Sequence, residues 1–341
     1  MSYSKDDQTY TPLPSIQRVF LQSMAAEDPD GRFIIVDNIQ VYYKVALPPE
    51  DPMELVDPLN PYPSNIQKKP VIVLLHHFMG NLYTWRNHMQ PLADATGLPV
   101  VAYDRPAFGF TERLATWEEN KNPYTQEACP DLLVELLRGI GYGDRRVVII
   151  GVSGGGAVAA ALAIKRPGYV QAIVMLAPAI KPQDQARHIL ASLPGRLFIK
   201  VALSQYIPFT SFYHNVESIP EWETVVRPCY RVPLTLPNFY ESLGHVMRYF
   251  RPLEIMEHLH IIHRHTPVLY IAGDTDRYMP GNQHPQAFLD MTRNMPEGTM
   301  FEWHLLSECG HLPQDEKPRE VLELTLDFLK RAGVYQPRCS E

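Results

Sequence analysis

The sequence has little cysteine and no long apolar run. Its 341 residues include 4 cysteines, Cys129, Cys229, Cys309 and Cys339, which form no C-x-x-C pair. Such sparse cysteines support neither a zinc site nor a disulfide framework, and they are typical of a reducing compartment. The longest apolar runs, such as Val71–Leu75, are far shorter than the roughly 20 residues that a membrane-spanning helix needs. We therefore expect no integral membrane association.

The sequence also lacks an excess of positive charge. With 31 Lys and Arg against 38 Asp and Glu, the net charge is −7, which argues against a nucleic acid or an anionic membrane surface as the main partner. The first residues, Met1–Asp7, are polar and include acidic side chains, unlike a secretory signal. These features predict a cytoplasmic protein that is large enough to be an enzyme. They leave its oligomeric state open.

Proline, in contrast, is abundant and unevenly placed. Of the 32 prolines, seven lie between Pro48 and Pro70, which indicates a loop between two strand-like stretches. Before this loop, Arg32–Val36 and Gln40–Leu47 are predicted to form a hairpin joined at Asp37 and Asn38.

After this loop, short apolar runs alternate with helical patterns. Continuous apolar strands that alternate with helices are typical of a parallel sheet covered on both faces. We therefore predict an α/β fold with a mostly parallel, doubly wound sheet. The predicted strands are Val71–Leu75, Val100–Tyr103, Val147–Val152, Ala172–Leu176, Val268–Ala272 and Phe301–Leu306. The predicted helices are Trp85–Ala95, Leu132–Ile140, Ala157–Ile164, Gln286–Met291 and Glu320–Lys330.

The alternation stops between residues 180 and 266, where eleven aromatic residues and many prolines occur. This composition predicts an inserted helical cap over a site, although a packed subdomain without substrate contact is the alternative. The predicted organisation is an N-terminal extension (1–30), the first part of the core (31–179), the cap (180–266), the second part of the core (267–335) and a tail (336–341).

One short motif carries most of the chemical signal. Gly151–Gly155 reads G-x-S-x-G, directly after a predicted strand and before a predicted helix. In that context the serine lies on a sharp strand-to-helix turn, where flanking glycines let the two elements approach. Ser153 is therefore the candidate nucleophile. The alternative is a glycine-rich helix start that binds an anion.

A serine hydroxyl needs a histidine base and a carboxylate that orients the base. Two acidic residues, Asp274 and Asp276, follow the strand Val268–Ala272, and His311 follows the strand Phe301–Leu306. Both groups lie at carboxyl ends of strands, where doubly wound sheets place their sites. From the residues alone, either aspartate could orient the base.

With Ser, Asp and His in this order, the chain resembles the α/β-hydrolase superfamily over residues 30–335, outside the cap. The resemblance implies an α/β-hydrolase fold, because the family combines such a sheet with an inserted cap. It also implies that Asp276, three residues after the glycine of a G-x-x-D loop, is the acid and that His311 is the base. Asp274 is then a turn-forming neighbour.

The resemblance extends to the loop after the first core strand, where the family carries H-G-x-x-G and this chain has His76 to Gly80. It implies that the backbone N–H groups of Phe78 and Gly154 form an oxyanion hole. His77 stands where glycine is common. We consider His76 and His77 possible pocket residues, with packing under the loop or exposure to solvent as the alternative for His77.

A further turn, residues 104–111, resembles the family sequence D-R-x-G-x-G-x-S, with Ala107 and Thr111 as departures. In the family this turn shapes the loop behind the site without a catalytic role. The turn looks closest to that of poorly characterised plant and cyanobacterial-type members.

The predicted reaction is hydrolysis of an ester-like bond through an acyl-enzyme intermediate. A serine at position 153 argues against the reactions of those family members that need a carboxylate nucleophile at this position. The aromatic cap favours a small to medium apolar substrate. Carbon–carbon bond hydrolysis, a lyase or perhydrolase reaction, and a non-catalytic ligand-binding role remain alternatives. Acyl transfer to an alcohol ranks lower, because Asp315 has the wrong spacing from His311 for the H-x-x-x-x-D box.

One histidine cluster invites comparison with a metal site. His258, His260, His263 and His265 lie close together, beside Glu254 and Glu257. There is no H-E-x-x-H motif, and the run leads into a core strand, so a solvated helix end is the better interpretation. We expect neither a metal nor a cofactor.

Overall fold

A computed structural model describes residues 28, 30–49, 69–179, 210–251, 258, 262, 266–279 and 298–336. The predicted helix Gln286–Met291 lies outside these residues. So do most of the N-terminal extension, most of the proline-rich loop, the cap residues 180–209, nearly all of 252–265 and the end of the tail. The cap boundaries therefore stay a prediction.

The core of the molecule is one eight-stranded sheet with the order β1-β2-β4-β3-β5-β6-β7-β8. Strand β2 pairs antiparallel with β1 and with β4, and the other pairs are parallel. This confirms the predicted mostly parallel α/β fold. The strands are β1 (Arg32–Val36), β2 (Ile39–Ala46), β3 (Val71–Leu75), β4 (Val100–Tyr103), β5 (Val147–Val152), β6 (Val170–Leu176), β7 (Val268–Gly273) and β8 (Phe301–Leu306).

The N-terminal hairpin has the predicted two-residue turn. Asp37 and Asn38 both have positive φ, 47° and 66°, as a type I′ turn requires. The register pairs Val36 with Ile39 and Arg32 with Tyr43. The hairpin extends the parallel sheet at its β4 edge.

Helices cover both faces of the sheet. Along β3, Ile72 and Leu74 belong to one apolar cluster, and Val71, Val73 and Leu75 belong to the other. All five side chains are fully buried, which explains why this strand reads as a continuous apolar run. The α-helices of the described ranges are α1 (Met89–Thr96), α2 (Ala128–Gly139), α3 (Gly154–Lys165), α4 (Arg227–Arg231), α5 (Phe239–Tyr249), α6 (Pro313–Glu316) and α7 (Pro318–Arg331).

The prediction of one helix over Trp85–Ala95 is wrong at its start. The structure has a separate 3-10 turn, Leu82–Trp85, before α1. The Asn81 side chain caps this turn by accepting the N–H of Tyr83 at 2.9 Å, and such local side-chain bonds compete with a continuous helix. Helices α2 and α3 begin earlier than predicted, at Ala128 and Gly154.

Residues 210–251 form a series of short helical turns, including α4 and α5, rather than strands. We call these residues the covering segment, because they contact the loops that follow β3, β4, β7 and β8. No helix of the described ranges combines the length and the apolar character that crossing a membrane requires.

Candidate active site

The site is built around a sharp turn between β5 and α3. Ser153 occupies this turn with φ 53° and ψ −116°, a strained conformation for a residue with a side chain. Its backbone N–H donates to the Leu176 carbonyl at 2.8 Å, and its own carbonyl accepts from Gly156 and Ala179. These bonds hold the strained residue at the carboxyl edge of the sheet.

The two glycines of the motif are required by close backbone contacts. A Cβ on Gly151 would lie 2.5 Å from the carbonyl of Gly155, and one on Gly155 would lie 2.3 Å from the Leu75 oxygen. Neither backbone atom can move aside without disturbing β3 or α3. The sequence motif therefore reflects the packing of the helix start on two neighbouring strands.

Three predicted residues form one hydrogen-bonded chain. His311 Nε2 lies 2.9 Å from Ser153 Oγ, and His311 Nδ1 lies 2.8 Å from Asp276 Oδ2. With Nδ1–H donating to the carboxylate, Nε2 is left to accept the serine proton. The other carboxylate oxygen, Oδ1, accepts the N–H groups of Tyr278 and Met279 at 2.8 and 2.9 Å. All three residues of the chain are buried.

Asp274, the second acidic candidate, has different partners. Its Oδ1 accepts the Cys309 N–H at 3.3 Å, and its own N–H donates to the Leu306 carbonyl at 3.0 Å. These bonds join the loops after β7 and β8. Of the two aspartates, the structure brings Asp276 to His311 and uses Asp274 to shape the turn.

Two aromatic rings that the sequence did not single out lie against the histidine. The ring centroids of Phe212 and Tyr278 are 5.8 and 5.7 Å from that of His311. The Phe212 carbonyl also accepts the His311 backbone N–H at 2.6 Å. Tyr278 stands two residues after Asp276, which is the one local signal for it. Phe212 had none, because it reaches the site from the covering segment.

His76 is fully buried beneath the loop after β3. Its Nε2 accepts the Arg105 backbone N–H at 2.9 Å, so Nδ1 carries the proton and donates to the His77 carbonyl at 2.7 Å. Burial, together with the charge of Arg105, holds the pKa of His76 well below its usual value. Both ring nitrogens are used, which leaves no polar atom for a substrate.

His77 is also buried and packs within the loop. Its ring lies 5.9 Å from that of Phe212 and 5.8 Å from that of Tyr230. Burial lowers the pKa of His77 to about 4. A Cβ on Gly80 would lie 2.6 Å from His77 Nε2, so a glycine at position 80 makes room for the unusual histidine.

The backbone amides of Phe78 and Gly154 lie close together beside Ser153. A Cβ on Gly154 would be 4.0 Å from the Phe78 nitrogen. Gly154 is the first residue of α3, where N–H groups have no partner within the helix. Neither amide donates a hydrogen bond to another residue of the described ranges.

The candidate metal cluster falls almost entirely outside the described residues, which include only His258 of its members. Among the residues that the structure describes, no group of three or more His, Cys, Asp or Glu side chains is placed to hold a metal ion.

Comparison with known proteins places this geometry in a family. Residues 72–324 match the model of the alpha/beta hydrolase family. The AB hydrolase superfamily protein YfhM of Bacillus subtilis (strain 168) is 33% identical over 282 residues, covering 76% of this chain and 90% of that protein. Epoxide hydrolase 3 of Xenopus tropicalis is 25% identical over 295 residues, covering 78% and 73%.

A solved structure shows the same fold. The 2-hydroxy-6-oxo-6-phenylhexa-2,4-dienoate hydrolase of Rhodococcus sp. strain RHA1 superposes with a TM-score of 0.59 at 21% identity, covering 88% of this chain and 98% of that one. The family match, the YfhM likeness and the shared fold agree, and this chain belongs to the alpha/beta hydrolase family.

Proposed function

We propose that the chain is a serine hydrolase that cleaves an ester-like bond through an acyl-enzyme intermediate. Ser153 attacks the carbonyl carbon while His311 takes the hydroxyl proton, and Asp276 holds the imidazole in the required tautomer. The amides of Phe78 and Gly154 stabilise the negative oxygen of the tetrahedral intermediate.

The remaining steps of the reaction use the same residues. His311 returns the proton to the leaving alcohol, and the carbonyl re-forms as the acyl-enzyme ester on Ser153 Oγ. In the second half a water molecule attacks this ester, with His311 as its general base. The bond between the acyl carbon and Ser153 Oγ then breaks, His311 returns the proton to Oγ, and the acid product leaves. Each half passes through an oxyanion at the same two amides, so one hole serves both steps.

The observation that carries this proposal is the hydrogen-bonded chain Ser153–His311–Asp276, with distances of 2.9 and 2.8 Å. It gives Ser153 an aligned base, which a serine that merely begins a helix does not need. Opening an epoxide through an alkyl-enzyme ester requires a carboxylate nucleophile. The serine at position 153 therefore favours acyl chemistry over the reaction named for the Xenopus relative.

The side chains around Ser153, His311 and Asp276 favour an apolar substrate group. Phe212 and Tyr278 lie against His311, and Phe78 packs edge-on against Phe108 with ring centroids 5.7 Å apart. Pockets for small molecules are lined mainly by such side chains. The aromatic-rich composition of the predicted cap, residues 180–266, supports the same proposal.

The first test is labelling with a fluorophosphonate probe of the wild type, Ser153→Ala and a control, Ser242→Ala. Ser242 is a fully buried serine that lies 3.3 Å from the Tyr124 hydroxyl. We expect labelling of the wild type and the control, and none of Ser153→Ala. Labelling that survives Ser153→Ala would place the nucleophile elsewhere and refute the proposal.

The second test is substrate class. We expect p-nitrophenyl esters to be hydrolysed, with kcat/KM rising from acetate to medium-length acyl chains. A peak at small polar esters would contradict the apolar substrate. Turnover of vinylogous diketones with no ester hydrolysis would assign the chain to carbon–carbon bond hydrolysis instead.

A further inference from the structure

Arg105, the second residue after β4, carries a guanidinium group that is buried in the core. Its side chain is surrounded by the rings of Phe108 and Phe250, whose centroids lie 5.4 and 5.9 Å from Cζ. No carboxylate of the described ranges forms an ion pair with it. Placing a charge in such surroundings costs several kcal/mol unless it interacts with something, so its partners indicate its role.

Its side chain contacts the Cys129 thiol and donates to two consecutive backbone carbonyls of the loop after β3. Arg105 Nη2 donates to the His76 oxygen at 3.0 Å and to the His77 oxygen at 3.3 Å. The backbone N–H of Arg105 also donates to the His76 ring. The arginine therefore fixes the path of this loop through both its main chain and its side chain.

The His77 carbonyl is the important one, because its peptide group contains the N–H of Phe78. That carbonyl accepts three donors: His76 Nδ1 at 2.7 Å, the Gly80 N–H at 3.1 Å and Arg105 Nη2 at 3.3 Å. Donors on a peptide oxygen polarise the group and make its N–H a stronger donor. A charged donor has the largest effect of this kind.

The same guanidinium lies beside the other amide of the site. A Cβ on Gly154 would be 3.7 Å from Arg105 Nη2 and 3.9 Å from Nη1. The positive charge is therefore close to both amides in a region without solvent, where charges are weakly screened. An oxyanion that forms between these amides would experience this charge, whereas a neutral ground-state carbonyl would experience it much less.

We propose that Arg105 is a positioning residue of the oxyanion hole, which orients and polarises the His77–Phe78 peptide and places a buried positive charge behind it. The inference rests on the proposed acyl-transfer function. The 104–111 turn then has a role beyond shaping the loop, because its Arg105 side chain stabilises the transition state through the backbone of the neighbouring loop.

Arg113 provides a matched control, because it is an equally buried arginine with backbone partners. Its Nη2 donates to the Gly109 carbonyl at 2.7 Å, and its Cζ lies 5.7 Å from the Phe239 ring. The peptide that contains the Gly109 carbonyl directs its N–H, that of Phe110, to Asp104 Oδ2, not to the site. Arg113 thus shares the burial and the bonding of Arg105 but not its connection to an oxyanion donor.

The experiment compares full-length wild type, Arg105→Gln, Arg105→Lys and Arg113→Gln. Three quantities are measured: kcat and KM for p-nitrophenyl butyrate, the rate of fluorophosphonate labelling, and the affinity for an alkyl trifluoromethyl ketone, which forms an oxyanion on Ser153. Circular dichroism and thermal unfolding identify any variant that does not fold.

We expect Arg105→Gln to lower kcat by about 10- to 100-fold, less than loss of a direct oxyanion donor. KM should change by no more than about threefold, because the interaction grows in the transition state. Ketone affinity and labelling rate should fall with kcat. Arg105→Lys, which keeps the charge, should recover part of the loss, and Arg113→Gln should keep kcat within about threefold of the wild type.

An Arg105→Gln protein that folds and keeps wild-type kcat would overturn the inference. So would equal losses in Arg105→Gln and Arg113→Gln, which would indicate general loosening of the core. If Arg105→Gln does not fold, Arg105→Lys decides: a reduced kcat at unchanged KM supports the inference, and an unchanged kcat contradicts it. A wild type that neither hydrolyses esters nor labels would instead refute the proposed function itself.

Discussion

The sheet and the covering segment are held together by different kinds of interaction. The central strands β3 to β7 are almost completely buried and apolar, and each pairs with its neighbours along its length, with one irregularity between β5 and β6 at Val147 and Val148. The covering segment is joined to the core loops by a small set of directed polar contacts in addition to apolar packing. They include Tyr213 and Tyr230 with Asp315, Asn81 with the Cys229 carbonyl, Arg113 with the Pro233 carbonyl, and the His311 N–H with the Phe212 carbonyl.

The catalytic groups and the residues around them are therefore positioned by different interactions. Ser153, Asp276 and His311 all follow core strands, so apolar burial and strand pairing determine where they lie. The aromatic residue Phe212 reaches His311 from the covering segment, and specific hydrogen bonds determine its position. We expect changes in the core loops to affect catalysis. Changes in the polar contacts of the covering segment should affect the stability of the fold and the access of substrate to the site.

The largest predicted effect concerns the core loop that carries the two aspartates. We expect Asp276→Asn to lower kcat by about 10⁴-fold, because an amide no longer selects the tautomer of His311 that accepts the serine proton. Asp274→Asn should have little effect, since an amide oxygen can still accept the Cys309 N–H. Steady-state kinetics on p-nitrophenyl esters measures both, and a larger loss in Asp274→Asn would exchange the two roles.

The next effect concerns the polar contacts of the covering segment. Asp315 is fully buried, with Oδ1 2.5 Å from Arg86 Nη1 and Oδ2 accepting from Tyr213 at 3.1 Å and Tyr230 at 2.8 Å. We expect Asp315→Ala to cost about 3–5 kcal/mol in the free energy of unfolding, because Arg86 and two hydroxyls lose their acceptor. Urea denaturation measures this cost.

The control for this prediction is Asp327→Ala, which removes an exposed pair with Arg331 at 2.8 Å. Exposed pairs contribute about 0–1 kcal/mol, so the control should unfold close to the wild type. Equal costs for the two variants would mean that Asp315 does not link the covering segment to the core.

A smaller effect is expected at the sharp turn between β5 and α3. We predict that Gly155→Ala lowers the free energy of unfolding by about 1–3 kcal/mol, since its Cβ would overlap the Leu75 carbonyl. At Gly154 the nearest atom to a Cβ would be Arg105 Nη2 at 3.7 Å, an ordinary contact. Gly154→Ala should therefore be neutral or stabilising by up to about 1 kcal/mol. Similar denaturation midpoints would contradict the close strand–helix packing.

The last predicted effect is a pH dependence that arises from buried histidines. Burial lowers the pKa of His77 and of His88 to about 4, so the folded protein keeps both neutral while the unfolded chain binds protons below pH 6.5. Their contribution to stability is present above that pH and is lost as the pH falls toward 4. Asp104, whose pKa burial raises to about 6, opposes part of this loss.

We expect His88→Phe to flatten the fall in unfolding free energy between pH 6.5 and 4, by up to about 1.4 kcal/mol per pH unit. The ring of His88 meets the Trp85 ring edge-on at 5.8 Å, and phenylalanine keeps an aromatic ring there. Denaturation series at several pH values measure the slope, with pH 8 as the reference. An unchanged slope would show that His88 takes up its proton without unfolding the core.

The sequence by itself determined the elements and the order of the chemical residues. Continuous apolar runs predicted the buried strands. A parallel sheet covered on both faces needs apolar side chains on both sides of each strand. The G-x-S-x-G motif predicted the strand–helix turn, because its glycines permit a contact between neighbouring backbones. These are local signals, readable within a few residues. The prediction that a helix begins at Trp85 was wrong, since the Asn81 side chain caps a separate turn there.

Only the tertiary structure decided which residues surround those groups. Arg105 and the His77 carbonyl are 28 residues apart, and Asp315 meets Arg86 across 229 residues. No periodicity or motif encodes such pairs, because they depend on how separate loops converge at one edge of the sheet. Proximity in the fold, through burial and directed hydrogen bonds, gives these side chains partners that their local sequence does not indicate.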